Sequence, residues 1–162
     1  MKKQSCLLLV LLTGLCIACK NPSSSNMIEL VHRRFDAMNQ HDLKGIDTLY
    51  SDNAIIESPN LNAPEKGRTG IHAVYSRYFV SSPDLIYTIT RIIPADSSVT
   101  VEFTSTGTMK HLEGGGPAYM LDKKYTLKNC TVLDIRNNKI VHDISYFDQV
   151  AFLRQVGFFD QH

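Results

Sequence analysis

Acid–base chemistry at neutral pH needs a carboxylate or an imidazole held within hydrogen-bond reach of the proton it moves. Few such groups in this chain sit in regularly patterned segments. His142 and Asp143 lie in the alternating run Lys139 to Phe147, Glu102 lies in the run Ser98 to Met109, and Glu57 ends a short run from Ala54. Alternation sends successive side chains to opposite faces of a strand. Asp143, Ser145 and Phe147 therefore share one face, and His142, Ile144 and Tyr146 share the other. In the run Lys123 to Arg136, Asn129 and Thr131 share a face, and Cys130 points away as a small buried hydrophobe. Glu102 is either exposed or a cavity carboxylate. Asp148 follows the last strand, where its carboxylate can cap the helix after it.

Other chemistries find less support. The six histidines (32, 41, 72, 111, 142 and 162) form no His-x-His or His-Glu-x-x-His pair. His111 with Glu113 supplies too few ligands, so no metal site is expected. Gly114-Gly115-Gly116 runs into Pro117 and then a strand, whereas a phosphate cradle needs glycines leading into a helix. No cofactor is expected. That loop is either a plain hairpin connection or a flap carrying Leu112, Tyr119 and Met120 over a ligand.

The elements that must position these residues fall in two blocks. Asn26 with Glu29 has capping-box spacing, and Ile28, Val31, Phe35 and Met38 follow at helical intervals. Asp42 opens a second short helix carrying Leu43, Ile46 and Leu49. A brief strand from Ala54 to Glu57 precedes a polar loop from Asn60 to Gly67. A third helix buries Ile71, Val74, Tyr78 and Phe79 and closes at Ser81-Ser82-Pro83. Beyond Pro83 the period changes to two over Leu85–Ile93, Ser98–Met109, Lys123–Arg136 and Lys139–Phe147. Asn137-Asn138 suits the positive φ of a two-residue hairpin. A last helix carries Phe152, Leu153 and Val156 and stops at Gly157. Helices followed by an antiparallel meander indicate an α+β fold.

The start of the chain reads as a targeting segment. Residues 1–18 combine Lys2 and Lys3 with the apolar run Leu7 to Leu12 and small residues up to Ala18, the pattern of a secretory signal. The segment is too short to serve as a lasting membrane span. Cys16-Ile17-Ala18-Cys19 resembles a bacterial lipobox, with Cys16 where leucine is usual. This implies a lipid on Cys19, a tether over residues 19–25 and a domain over residues 26–162. Stable membrane attachment follows from several acyl chains. Lys20, in place of an inner-membrane-retaining Asp, points to the bacterial cell envelope, and to the outer membrane where the host has one. Of four cysteines, only Cys130 lies in the body, so no disulfide framework is available. The chain carries 17 basic and 16 acidic residues; losing Lys2 and Lys3 leaves it near −1, with no electrostatic footprint for nucleic acid.

Five strings in order carry a family resemblance: Phe35 to Asp42, Leu49 to Ala54, Gly67 to Ile71, Thr106-Gly107-Thr108, and Lys139 through Phe147-Asp148 to Gly157. Together they resemble the SnoaL-like polyketide cyclase branch of the nuclear-transport-factor-2-like superfamily. The resemblance implies a cone-shaped, strongly bent antiparallel sheet packed with three N-terminal helices and a short C-terminal helix, enclosing a pocket on the concave face. It also implies a homodimer through the outer sheet face, with His142 and Tyr146 as contacts. In the cyclases, an aspartate on the last strand and a histidine on the preceding one close a ring by aldol chemistry. Those positions fall on Ser145 and Thr131, which are hydrogen-bonding groups rather than bases. Asp143 is then the one carboxylate on that face able to replace the base, unless it is a solvated residue near the hairpin. Asn129, as an amide donor, joins Thr131, Ser145, Phe147, Glu57 and Tyr119 as candidate pocket residues for a small hydrophobic or oxygenated ligand. The alternatives are divergent proton transfer on a carbonyl substrate and a non-catalytic association module.

Overall fold

The computed structural model describes residues 23–112 and 117–161. The signal-like segment, Cys19 and the triglycine loop lie outside them. Three helices, α1 (Ser24–Asn39), α2 (Leu43–Leu49) and α3 (Gly67–Ser81), precede the long strands. The strands are β1 (Tyr50–Glu57), β2 (Glu65–Lys66), β3 (Ile86–Pro94), β4 (Ser98–Thr108), β5 (Lys124–Arg136) and β6 (Lys139–Phe147), and α4 (Gln149–Gln155) follows. They form one mixed sheet in the order β2-β1-β6-β5-β4-β3. All neighbours are antiparallel except β1 and β6, which run parallel. The architecture is that of a bent, unclosed nuclear-transport-factor-2-like cone.

The bend has a visible origin. Register shifts occur between Ile89 and Arg91 on β3, between Asp134 and Ile135 against β6, and between Tyr50 and Ile55 on β1. A bulge adds an unpaired residue to one strand and turns it out of the flat ladder. The shift on β6 has a second effect. Ile140 pairs with Ile135 and Asp143 with Leu133, so both point inward although they are three residues apart. Val141 is the extra residue that permits this.

The helices close over the concave face. On α1, Met27, Leu30, Val31, Arg34, Phe35 and Met38 form the buried stripe. The helix starts earlier than its sequence pattern predicts, because Ser23 rather than Asn26 is the cap, its Oγ accepting from the Asn26 amide. Ile28 is consequently only half-buried. Asp42 caps α2 by accepting from the Gly45 amide at 3.0 Å, and Asp148 caps α4 through Ala151 at 2.9 Å. The Asn39 amide donates to the Tyr87 carbonyl at 2.9 Å and accepts from the Tyr87 amide at 2.8 Å, which fastens α1 to the edge strand. Asn137 and Asn138 adopt φ of 50° and 56°, as the β5–β6 turn requires. Strand β1 extends four residues before Ala54, and β2 lies within the expected loop. Apart from the buried Tyr50, the extensions have no apolar signature: Asp52, Asn53, Glu65 and Lys66 are exposed.

Candidate functional site

The centre of the fold holds an ion pair. Arg34 of α1 donates from Nη2 to Asp143 Oδ2 on β6 at 2.8 Å, with 2% and 0% of the two side chains exposed. Two phenols complete the shell. Tyr50 donates to the same carboxylate oxygen at 2.6 Å and accepts from Arg34 Nε at 2.9 Å. Tyr75 of α3 accepts from Arg34 Nη2 at 2.7 Å and lies 3.0 Å from the Tyr50 hydroxyl and 3.4 Å from Asp143. Since the Tyr50 proton is committed to Asp143, the Tyr75 proton is best placed on Tyr50. On the other side, Thr131 of β5 donates to Asp143 Oδ1 at 2.6 Å, and Ser145 donates to Thr131 at 3.3 Å.

This chain of bonds is directional. Asp143 only accepts, so each hydroxyl hydrogen points toward it, and Ser145 keeps its lone pairs for whatever lies beside it. Burial opposes the Arg34 charge, but Asp143 and the two phenols outweigh it and hold the guanidinium protonated well above its ordinary range. Burial pushes the Tyr50 and Tyr75 phenols well above theirs, against the pull of Arg34. The phenols are therefore neutral donors at physiological pH, and the charge resides on the Arg34–Asp143 pair.

A cavity of about 480 Å³ opens above this network. Its buried lining includes Arg34, Met38, Ile56, Tyr75, Leu85, Tyr87, Phe103 and Leu127 together with Ser82, Ser105 and Tyr125, and its partly exposed lining includes Ser58, Tyr78, Leu112, Met120, Phe152 and Leu153. An apolar enclosure with a few convergent polar groups is the usual form of a small-molecule site.

Of the residues singled out from sequence as pocket candidates, Asn129, Ser145 and Phe147 line this cavity, as do Leu112 and Met120 of the flap alternative. The register supports the shared face, pairing Asn129 with Phe147 and Thr131 with Ser145. Thr131 and Asp143 lie behind that surface with no exposed area. Asp143 is thus neither the solvated residue of one reading nor open to the cavity. Asn129 does not supply the donor expected of it, because its Nδ2 gives both hydrogens away, to Ser105 Oγ and the Leu127 carbonyl at 3.0 Å each. What it retains is a carbonyl acceptor. Glu57 does not line the cavity, although Ile56 and Ser58 on either side of it do. It meets His142 at 2.7 Å, and Asp134 approaches the other His142 nitrogen at 3.7 Å. Tyr119 lies in a short 3-10 turn beside the lining residue Met120 and does not itself line the cavity. Glu102 is exposed and pairs with Arg91 at 3.8 Å.

Arg34, Tyr50 and Tyr75 are absent from the sequence-derived candidates. For Arg34 a signal exists: it lies three residues after Val31 and four after Leu30, a lone cation on the apolar stripe of α1.

A SnoaL-like domain model matches residues 31–143, well over half the chain. The chain belongs to the SnoaL-like family. Solved structures share the SnoaL-like fold. A candidate SnoaL-like polyketide cyclase from Jannaschia sp. CCS1 superposes with a TM-score of 0.74 at 16% identity, over 83% of this chain and 94% of that one. An LEH-like epoxide hydrolase from M. tuberculosis gives 0.65 at 18% identity, over 87% and 100%. A protein of ketosteroid isomerase-like fold from Catenulispora acidiphila DSM 44928, in complex with trimethylamine, gives 0.67 at 22% identity, over 80% and 92%. No curated protein matches the sequence. SnoaL-like folds thus carry differently named activities, so function must be argued from the site. Here the positions that resemble the cyclase aspartate and histidine hold Ser145 and Thr131, and both serve as links from the cavity to a buried carboxylate.

Proposed function

We propose that this protein is a lipid-anchored SnoaL-like pocket protein that binds a small hydrophobic or oxygenated molecule. The observation that carries the reading is the cavity of about 480 Å³, whose apolar walls meet the polar surface of Arg34, Tyr75 and Ser145. A ligand would seat its hydrocarbon body against Met38, Leu85, Phe103 and Leu127 and direct its oxygen toward that surface. Direct general-base chemistry by Asp143 finds no support in this arrangement, since the carboxylate is buried and already accepts from three donors, Arg34, Tyr50 and Thr131. Any proton transfer between the cavity and Asp143 would run through Ser145 and Thr131 or through Tyr75 and Tyr50.

Attachment rests on Cys19, and the location that follows is the cell envelope. Association as a homodimer rests on the outer sheet face, where Tyr146 is 54% exposed. The ligand reading is tested by thermal-shift screening of the full chain against oxygenated aromatic and alicyclic compounds. Stabilisation that is lost when Leu127→Trp fills the cavity supports it, and no stabilisation by any compound refutes it. Attachment is tested by palmitate labelling, which Cys19→Ala should abolish; label persisting in that variant removes the assignment.

A further inference from the structure

Four tyrosines line the cavity: Tyr75, Tyr78, Tyr87 and Tyr125. Three of their hydroxyls are committed within the protein. Tyr75 accepts from Arg34 and meets Tyr50, Tyr78 donates to Asn60 Oδ1 at 3.0 Å, and Tyr125 donates to Ser82 Oγ at 2.9 Å. The Tyr87 hydroxyl has no hydrogen-bond partner among the described residues; only its backbone is bonded, to Asn39 and within the β3–β4 ladder. A buried tyrosine usually finds a partner for its hydroxyl. Only 8% of Tyr87 is exposed, yet the oxygen itself is not sealed, and the open space beside it is the cavity.

Taking the cavity to be a binding site, as proposed above, we infer that Tyr87 selects an oxygen-bearing ligand over a hydrocarbon one by donating its hydrogen to a ligand oxygen. Its position is set before any ligand arrives. The register puts Tyr87 opposite Ser105, another lining residue, so its ring stands on the concave face. The Asn39 side chain holds its backbone from α1, and the ring packs against Phe35 and Phe103 with centroids 6.4 Å and 6.0 Å away. A donor fixed in this way loses little freedom on binding. Burial, with smaller help from the phenols of Tyr75, Tyr78 and Tyr125, pushes the Tyr87 phenol well above its ordinary range against the pull of Arg34. The hydrogen is therefore in place at physiological pH. A hydrocarbon seated here would strip the hydroxyl of water and return no bond, which is costly. Ketone, alcohol, ether and carboxylate oxygens all accept, so Tyr87 selects for oxygen and not for charge.

The test titrates 2-acetylnaphthalene and 2-isopropylnaphthalene, similar in shape but with one oxygen between them, into the full chain at pH 7.5. The ketone should bind about tenfold more tightly, the scale of one donor satisfied rather than stranded. In Tyr87→Phe the ketone should lose most of that advantage, and the hydrocarbon should bind as well as before or better. Without ligand, Tyr87→Phe should melt no lower than the wild type, because the hydroxyl it removes bonds nothing within the protein. Tyr125→Phe, which gives up its bond to Ser82, should melt lower. No ketone advantage in the wild type overturns the inference, as does an advantage that survives in Tyr87→Phe or an equal loss of both probes there. So does a ligand-free Tyr87→Phe that melts as low as Tyr125→Phe, since the hydroxyl would then have a structural task. If neither probe binds the wild type, the ligand reading itself fails and the inference falls with it.

Discussion

Arg34 and Asp143 are 109 positions apart in the chain, yet their side chains meet at 2.8 Å in the centre of the fold. That one contact joins the first helix to the last strand, with α3 and β5 tied in through Tyr75 and Thr131. It also lies beneath the cavity, which Arg34 and Tyr75 line. Removing one member of a buried pair leaves the other uncompensated, which costs about 3–5 kcal/mol. Asp143→Leu and Arg34→Met should each lower stability by about that amount in urea titrations. The double variant should return to within about 2 kcal/mol of the wild type, because exchanging a whole buried pair for apolar residues is often close to neutral. Losses that simply add would show that the pair is not the unit of stability.

A second carboxylate gives the fold an acid-sensitive joint. Asp84 accepts from the Thr108 amide at 2.7 Å and its hydroxyl at 2.6 Å, which clamps the start of β3 to the end of β4. The Thr108 hydroxyl bond holds the Asp84 carboxyl below its ordinary value of 3.8, against a smaller opposing effect of burial. A group with a lowered folded pKa contributes stability above its unfolded pKa and loses it as pH falls through the folded one. Asp84→Asn should therefore melt at a lower temperature than the wild type at pH 7. The difference should close as pH falls below about 3.8. A gap that stays constant from pH 7 to pH 2.5 would refute the linkage.

How much of this was legible in the sequence depends on which signal each residue carries. The period-two runs place β3 to β6 within about a residue of their observed ends, because each strand has one buried face and a slip would expose it. The same counting puts Asn129, Thr131, Asp143, Ser145 and Phe147 on one face. It does not reveal that Asp143 is sealed in, since that depends on partners from α1 and α3 that no local pattern links to β6. Tyr50 and Tyr75 carry no such signal: the helical count puts Tyr78 on the buried face of α3, whereas the structure buries Tyr75 and leaves Tyr78 partly exposed. Strand β2 escapes detection because its two residues are held by backbone pairing to Ile55 and Ile56, not by an apolar face.

The outer sheet face supplies a prediction about assembly. Tyr146 is 54% exposed, and Thr104, Lys128, Cys130 and Glu102 surround a shallow depression with it. If two copies pair there, Tyr146→Lys places like charges across the twofold axis and should shift sedimentation at tens of micromolar from dimer to monomer. The domain's own melting should change little, since an exposed side chain contributes little to the core. A wild-type protein that sediments as a monomer at that concentration would remove the dimer.

The chemistry of the last strand can be tested against that of the cyclases. A general base must come within about 3 Å of the proton it removes, and a carboxylate moved two residues along a strand is displaced by about 6.5 Å. Asp143 is moved by that amount from Ser145, the position that resembles the cyclase aspartate. It is also fully buried and holds hydrogen bonds from Arg34, Tyr50 and Thr131. Ser145 itself sends its hydrogen to Thr131 and has no basic partner to receive it. The protein should therefore show no aldol cyclisation of aromatic polyketide esters above the buffer rate when product is followed by chromatography. Turnover of such an ester that disappears in Ser145→Ala would overturn this and make Ser145 a catalytic residue. Turnover that survives Ser145→Ala but disappears in the Arg34→Met, Asp143→Leu double variant would instead make the buried pair the source of the chemistry.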